Sequence, residues 1–401
     1  MHQNSTFVSY SSEIILIRVQ SDKVSKLIPK ISTIPLLQLA SGDRLALQVY
    51  QFTGARPGKK VYLQANLHGA EIAGNAVIHQ LIQFLMTLDS TQLVGQVWLV
   101  PVCNPLSANQ RMHHYSSGRF NIYDGQDWNR IFWDYEKEHP DLMTFAKSQA
   151  NLDLPTIRHN YLAQIRIAFH KLLDEIQAPS GVPFSDSYRY KLQSLCFDAD
   201  YVIDLHTSTN QAVDYLYYFQ NRQENARLFQ FDYGILLDEY DGDAFDEAFI
   251  KPWLALEDCF RDLGRNICFD IEAWTLELGS GMQLNPESVS RGIRGIQNYL
   301  MAKGVLDLPQ QVSHPSHPMI TATKTQVKKY YATVGGMVQA RAPLGTTIHP
   351  GEHLYQVLSF NKDEKLPTLI NIYAEQSGIV YDVSTNQAVN EGEYILSLIP
   401  I

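Results

Sequence analysis

The sequence predicts an α/β protein with a parallel-stranded sheet and a small all-β unit towards its C-terminal end. Three observations carry this. Val61-Tyr62-Leu63-Gln64-Ala65 is an apolar strand pattern, and a helical pattern follows it with Ala73, Val77, Ile78, Leu81, Ile82 and Leu85 on one face. A second strand pattern, Val97 to Val102, completes a strand–helix–strand unit whose spacing suits parallel pairing. Over 321–401 only strand patterns remain, and they repeat. Gly336-Met337-Val338 recurs as Gly378-Ile379-Val380, and Pro350-Gly351-Glu352-His353-Leu354 as Glu391-Gly392-Glu393-Tyr394-Ile395, offsets of 42 and 41 residues. Two similar halves predict a pseudo-symmetric sandwich or barrel.

Composition narrows the class of protein. The chain has 401 residues, 45% of them hydrophobic and 18% charged, as in ordinary globular proteins with more than one domain. A net charge of -10 disfavours nucleic acid and anionic membranes as partners. The apolar run Ser11 to Leu16 is too short for a leader, and no stretch is long enough to span a bilayer, so the cytosol is the expected location. Cys103, Cys196, Cys259 and Cys268 lack CxxC spacing and read as buried thiols.

The elements follow in order. Residues 1 to about 60 read as short strands, among them Leu45 to Tyr50 after the turn Ser41-Gly42-Asp43. The helix is expected over about 71–88. Residues 108–130 turn polar and aromatic without periodicity, which predicts a long ordered loop of the kind that carries function. Residues 131–196 are helical in pattern, with Leu162, Ile165, Ile167, Phe169, Leu172, Leu173 and Ile176 as the apolar face. Strands are expected at 201–205, within 214–219 and at 270–278, and a last helix over about 286–303. The acidic run 236–247 reads as a solvated loop, since it lacks the order of a calcium loop. The Pro- and His-rich 308–320 reads as a linker in which His314 and His317 are incidental.

Chemistry collects at strand ends. His68 and Glu71 follow the first strand, at the carboxyl edge where open α/β sheets gather ligands. Alone, this pair reads more simply as a helix start, with Glu71 against the dipole. His206 ends another strand 138 residues later, and the set then becomes His-Glu-His, the ligand type of hydrolytic zinc sites. Asp204 either joins the ligands or orients a neighbour. The loop supplies Arg119 and Asp127-Trp128-Asn129-Arg130, where guanidinium and amide can clamp a carboxylate, or Arg and Asp can form a surface pair of small value. Glu277, late in its strand, can act as general base and then acid towards a metal-activated water. Glu272 lies five residues earlier, on the opposite face of a regular strand.

Taken together, His68-Gly69-Ala70-Glu71, Asn104-Pro105, Arg119-Phe120 leading to Asp127-Trp128-Asn129-Arg130, Asp204-Leu205-His206-Thr207 and Thr275-Leu276-Glu277-Leu278-Gly279 occur in that order. Over roughly 30–305 the chain resembles the succinylglutamate desuccinylase/aspartoacylase family, a branch of the zinc carboxypeptidase superfamily. The resemblance implies a carboxypeptidase-like catalytic domain over 1–307, with a central mixed, largely parallel sheet between helices; the helical stretch 131–196 departs from it, being longer than in small family members, and reads as an insertion that reshapes the pocket entrance. A linker at 308–320 and the all-β domain at 321–401 would follow. It implies one Zn2+ per chain on His68, Glu71 and His206, substrate binding by Arg119, Asn129 and Arg130, and Glu277 as the catalytic carboxylate. The implied activity is hydrolysis of an N-acyl amino acid or related small amide that bears a carboxylate. A zinc carboxypeptidase acting on short peptides and a metal-containing binding protein are the alternatives, and homo-oligomerisation stays open. Trp128 departs from the family's usual leucine. The β tail also resembles a biotinyl/lipoyl-like fold, yet Thr385-Asn386-Gln387, where a carrier lysine would sit, has none.

Overall fold

A computed structural model describes residues 25–112, 116–139, 141–314 and 317–401. The strands expected before residue 25 lie outside the described residues. The rest is a mixed α/β structure around a nine-stranded sheet, with a second, strand-only unit after it.

The strands of the large sheet and its junction are β1 (Lys30–Gln38), β2 (Arg44–Thr53), β3 (Arg56–Ala65), β4 (Val94–Val100), β5 (Tyr201–Ser208), β6 (Gln211–Ala212), β7 (Asp214–Tyr218), β8 (Tyr233–Leu236), β9 (Glu272–Ser280) and β10 (Ile320–Thr323). Their order across the sheet is β1-β2-β4-β3-β5-β9-β7-β8-β10. The centre, β4-β3-β5-β9, is parallel, whereas β1, β2 and the β9–β7 pair run antiparallel. β10 lies parallel to β8, so the chain expected to be linker up to residue 320 runs into the edge of this sheet.

Both faces of the sheet are covered. One carries the helices Ala73–Thr87 and Pro286–Ala302 on Val61, Leu63, Leu205, Leu216 and Leu276. The other carries Phe245–Asp262 and the helices of the 131–196 region on Tyr62, Val202 and Ala273. Alternation along β5 therefore sends Leu205 to one layer and Asp204 and His206 to the other. Ala73, Val77, Ile78, Leu81 and Leu85 form the buried stripe of the first helix. Each fully buried Val, Leu or Ile contributes roughly 1.5–3 kcal/mol of transfer free energy.

Several expectations are corrected. In Leu154–Ile176 the buried stripe is Ile157, Tyr161, Ile165 and Phe169, at four-residue spacing. Ile167 is exposed, because two residues on a helix are some 200° apart and Ile165 already faces the core. Cys103 and Cys196 are buried, Cys259 partly so, but Cys268 is exposed, and all four are free. The acidic run does not stay in solvent. Phe245–Asp262 begins inside it and takes Asp246 and Glu247 into the interior.

The C-terminal unit consists of two antiparallel sheets. Gly336–Gln339 and His353–Ser359 pair in one as Gly378–Val383 and Tyr394–Pro400 pair in the other, which is the sequence repeat made physical. A Cβ at Gly336 would lie 2.3 Å from Leu358 O, and at Gly378 2.8 Å from Ile399 O, so the repeated glycines are steric requirements. β6 joins the second of these sheets through Asp382↔Ala212 and Val383↔Gln211.

Candidate metal centre and substrate cavity

The site is built from rows of side chains across adjacent strands. His206 on β5, Glu277 on β9 and Tyr215 on β7 are successive register partners. Gln64, Asp204, Thr275 and Tyr217 form the next row, on β3, β5, β9 and β7. Register partners leave a sheet on the same face, so both rows face the layer opposite the helix Ala73–Thr87.

The turn after β3 adds His68 and Glu71. Asn66 sits in the left-handed region at φ 67°, and its side-chain amide donates to the carbonyls of His68 and Gly69 at 3.1 Å. A Cβ at Gly69 would lie 2.2 Å from Ser107 O, so glycine alone fits beneath that segment. Asn104 ties the two together by donating to Leu67 O at 3.0 Å and accepting from Ser107 N.

These constraints deliver Glu71 between two imidazoles. Its Oε1 lies 2.8 Å from His68 Nδ1 and its Oε2 2.8 Å from His206 Nδ1. The helix begins only at Ala73, so Glu71 serves the histidines and not the first turn. Behind them, Asp127 Oδ1 is 3.0 Å from His68 Nε2, and Asp204 Oδ2 is 2.9 Å from His206 Nε2. Both Nδ1 atoms thus face Glu71 and both Nε2 atoms face a carboxylate, the arrangement that orients metal-binding histidines. One ligand atom from each of His68, Glu71 and His206 lies within 4.8 Å of the others, and all three residues are buried. Two imidazole nitrogens and a carboxylate are the donor set zinc accepts, and they fit it here.

Charge follows geometry. Burial opposes ionisation of Glu71, but the two imidazoles outweigh it and hold the carboxyl well below its usual range. Burial likewise opposes protonation of His206, and Asp204 and Glu71 overcome it and raise its proton affinity. Asp127 is held low against burial by His68 and Arg119. Glu277 goes the other way. Burial pushes its carboxyl up to about 8, with Glu71 and Asp382 adding to the rise and His206 and Arg119 opposing it. Its Oε2 is closed off from solvent and has no hydrogen-bond partner among the described residues.

The expected metal ligands His68, Glu71 and His206, the expected substrate-binding residues Arg119, Asn129 and Arg130, and Glu277 all line one cavity of about 420 Å³. Arg119 donates to Asp127 Oδ2 at 2.9 Å and to Thr209 Oγ1 at 3.2 Å. Asn129 spends its side-chain oxygen on Phe245 N at 2.8 Å, which leaves its NH2 for a ligand. Arg130 is exposed at the mouth and donates to Asn129 O. Glu272 lies elsewhere, bonded to Tyr299, Asn225 and Lys303.

The cavity also uses residues that sequence reasoning missed: Thr209, Tyr215, Tyr217, Asp246, Glu247 and Lys324. Asp246 Oδ2 accepts from Thr275 Oγ1 at 2.6 Å. Burial and then Asp246 push Glu247 up to about 7. The helical period Phe245, Phe249, Trp253, Leu256, Phe260 was a signal that a helix starts inside the acidic run. Trp128 is buried edge-on against Tyr188 and Phe184, whose ring centroids lie 5.3 and 6.2 Å away. Those partners belong to the 131–196 region, so the departure at 128 and that region pack as one.

The model of the succinylglutamate desuccinylase/aspartoacylase catalytic domain matches residues 57–170. Over this stretch the chain is similar to the succinylglutamate desuccinylase/aspartoacylase catalytic domain. The matched stretch includes His68, Glu71, Arg119, Asn129 and Arg130. Solved structures that carry this family's name are similar to most of the chain. A family protein from Shewanella amazonensis is 28% identical, with TM-score 0.81 over 92% of this chain and 98% of its own. A succinylglutamate desuccinylase/aspartoacylase from Shewanella frigidimarina is 26% identical, with TM-score 0.83 over 93% and 98%. One from Rhodobacter sphaeroides, at 17% identity and TM-score 0.63 over 94% and 95%, shares the fold. No curated protein matches the chain.

Proposed function

We propose that this protein is a member of that family and a zinc-dependent hydrolase that cleaves the amide of an N-acyl amino acid or a related small, carboxylate-bearing amide. The observation that carries the reading is the buried His68–Glu71–His206 group facing the same cavity as the unpartnered carboxylate of Glu277. The family name, a desuccinylase and an acylase, points to acylated amino acids as the substrate class.

His68, Glu71 and His206 would hold the ion. When bound, zinc supplies a Lewis acid that polarises the amide carbonyl and makes water a better nucleophile at neutral pH. Glu277 takes the proton of the attacking water and passes it to the leaving amine. Arg119, Arg130 and the Asn129 amide fix the substrate carboxylate, so orientation contributes to rate. Asp127 and Asp204 keep the imidazoles aligned. A protein that only bound a metal would have no use for an unpaired, partly buried carboxylate at Glu277, which is costly to keep. The strand-only tail would be a biotinyl/lipoyl-like domain without a carrier role, since its tip at Thr385-Asn386-Gln387 has no lysine.

A panel of N-acyl amino acids and dipeptides, assayed with zinc-loaded protein, tests the reading. Hydrolysis of N-acyl amino acids with little action on dipeptides is expected. The reverse preference would make the chain a carboxypeptidase, and inactivity on both would refute the proposal.

A further inference from the structure

We infer that Asp382, in the C-terminal β unit, is a positioning residue of the site: it fixes the loop 208–210 so that Thr209 can hold the guanidinium of Arg119. The inference rests on the reading of Arg119 as a substrate-carboxylate clamp.

Asp382 is far from His206 in sequence, yet it is buried against the loop that leaves this histidine. Its Oδ2 accepts from Ser208 Oγ at 2.5 Å and its Oδ1 from Asn210 Nδ2 at 3.2 Å. Tyr394 of the same unit donates to Oδ1 at 2.6 Å, which fixes the carboxylate from behind. Ser208 Oγ also accepts from Asn210 N at 3.1 Å. Immediately afterwards β6 pairs with Gly378–Val383, and Val213 N donates to Tyr381 O at 2.9 Å.

Thr209 is thus the residue between two anchored neighbours. Its Oγ1 accepts from Arg119 Nη2 at 3.2 Å, while Arg119 Nη1 donates to Asp127, and Asp127 contacts His68. The β unit is thus linked to the metal-binding group through the backbone of 208–210 and the contacts Thr209–Arg119, Arg119–Asp127 and Asp127–His68. A flexible arginine pays rotamer entropy on binding a carboxylate unless its surroundings hold it beforehand. Asp382 supplies part of that hold from a segment that contributes no ligand of its own.

The test uses the full chain loaded with zinc. The probes are the N-acyl amino acid that the wild type hydrolyses fastest and the same compound with its carboxylate amidated. Asp382→Ala is expected to raise KM for the carboxylate compound about tenfold, with kcat within about threefold and KM for the amidated compound unchanged. Zinc content stays at the wild-type level. Hydrogen exchange of amides 207–212 should quicken about tenfold. Thr209→Val should reproduce the KM effect, and the double variant should be no worse than the worse single one. Asp382→Asn keeps the size and one acceptor, so it carries the same test with smaller shifts if the alanine variant does not fold. A folded Asp382 variant with unchanged KM and unchanged exchange over 207–212 overturns the inference, as does an equal KM rise for both compounds. If Arg119→Lys leaves both KM values unchanged, the clamp reading of Arg119 fails instead, and the exchange result still decides what Asp382 holds.

Discussion

His206 and Glu277 are register partners on the adjacent parallel strands β5 and β9, so the two side chains leave the sheet together. This pairing puts the carboxylate proposed as proton acceptor beside a residue of the candidate metal-binding group, and it separates Glu277 from Glu272, which is tied to Tyr299 and Lys303. Glu277→Gln should lower turnover by roughly a hundred- to ten-thousand-fold while zinc stays bound. Glu272→Gln should lower stability and leave turnover near wild type. Zinc analysis and kcat on one substrate check both. A dead Glu272→Gln beside a normal Glu277→Gln would reverse the assignment.

The environment of Glu277 sets a pH dependence. Burial pushes its carboxyl up to about 8, from an ordinary 4.5. A general base must be ionised, so activity is present above the pKa and is lost as pH falls through it. A zinc ion on His68, Glu71 and His206 would favour the carboxylate, so the acid limb of kcat/KM in the zinc-loaded protein should lie above the ordinary glutamate range and below about 8. A profile flat down to pH 5.5 would show that this carboxyl is not the group that titrates.

Arg130 stands at the cavity mouth next to the Asn129 amide, with no ion-pair partner among the described residues. Arg130→Lys keeps the charge and loses the planar fork, so it should lower kcat/KM by about tenfold or more, mainly through KM. Unchanged kinetics on a carboxylate substrate would make Arg130 structural.

What was legible in the sequence was local. His68 and Glu71 share one turn, Asp204 and His206 share one strand face, and Glu277 precedes Gly279, where φ is 77° and the strand can turn away. Such spacings are fixed by backbone geometry within a few residues. Burial of Asp246 and Glu247 was not legible as an acidic stretch, because it depends on Phe245–Asp262 packing against β5 and β9. Lys324 and Asp382 were hidden for a related reason. They reach the site region through β10 and through the β6 pairing, contacts between segments more than eighty residues apart. Ile167 shows the opposite limit, since its hydrophobicity alone placed it on a face the helical period denies it.

Trp128 offers a stability test at the edge of the site. It is fully buried against Phe184 and Tyr188. Trp128→Ala should cost about 3–5 kcal/mol through lost burial and a residual cavity. Urea unfolding followed by circular dichroism measures this. A loss under about 1 kcal/mol would mean that this contact does not hold the 131–196 region to the loop.

The most direct measurement is metal content together with activity. Protein purified without added metal should carry about one zinc per chain, by elemental analysis, on His68, Glu71 and His206. Chelation should remove zinc and hydrolysis of the N-acyl amino acid together, and zinc should restore both. A metal-free preparation with undiminished hydrolase activity would contradict the proposed function at its centre.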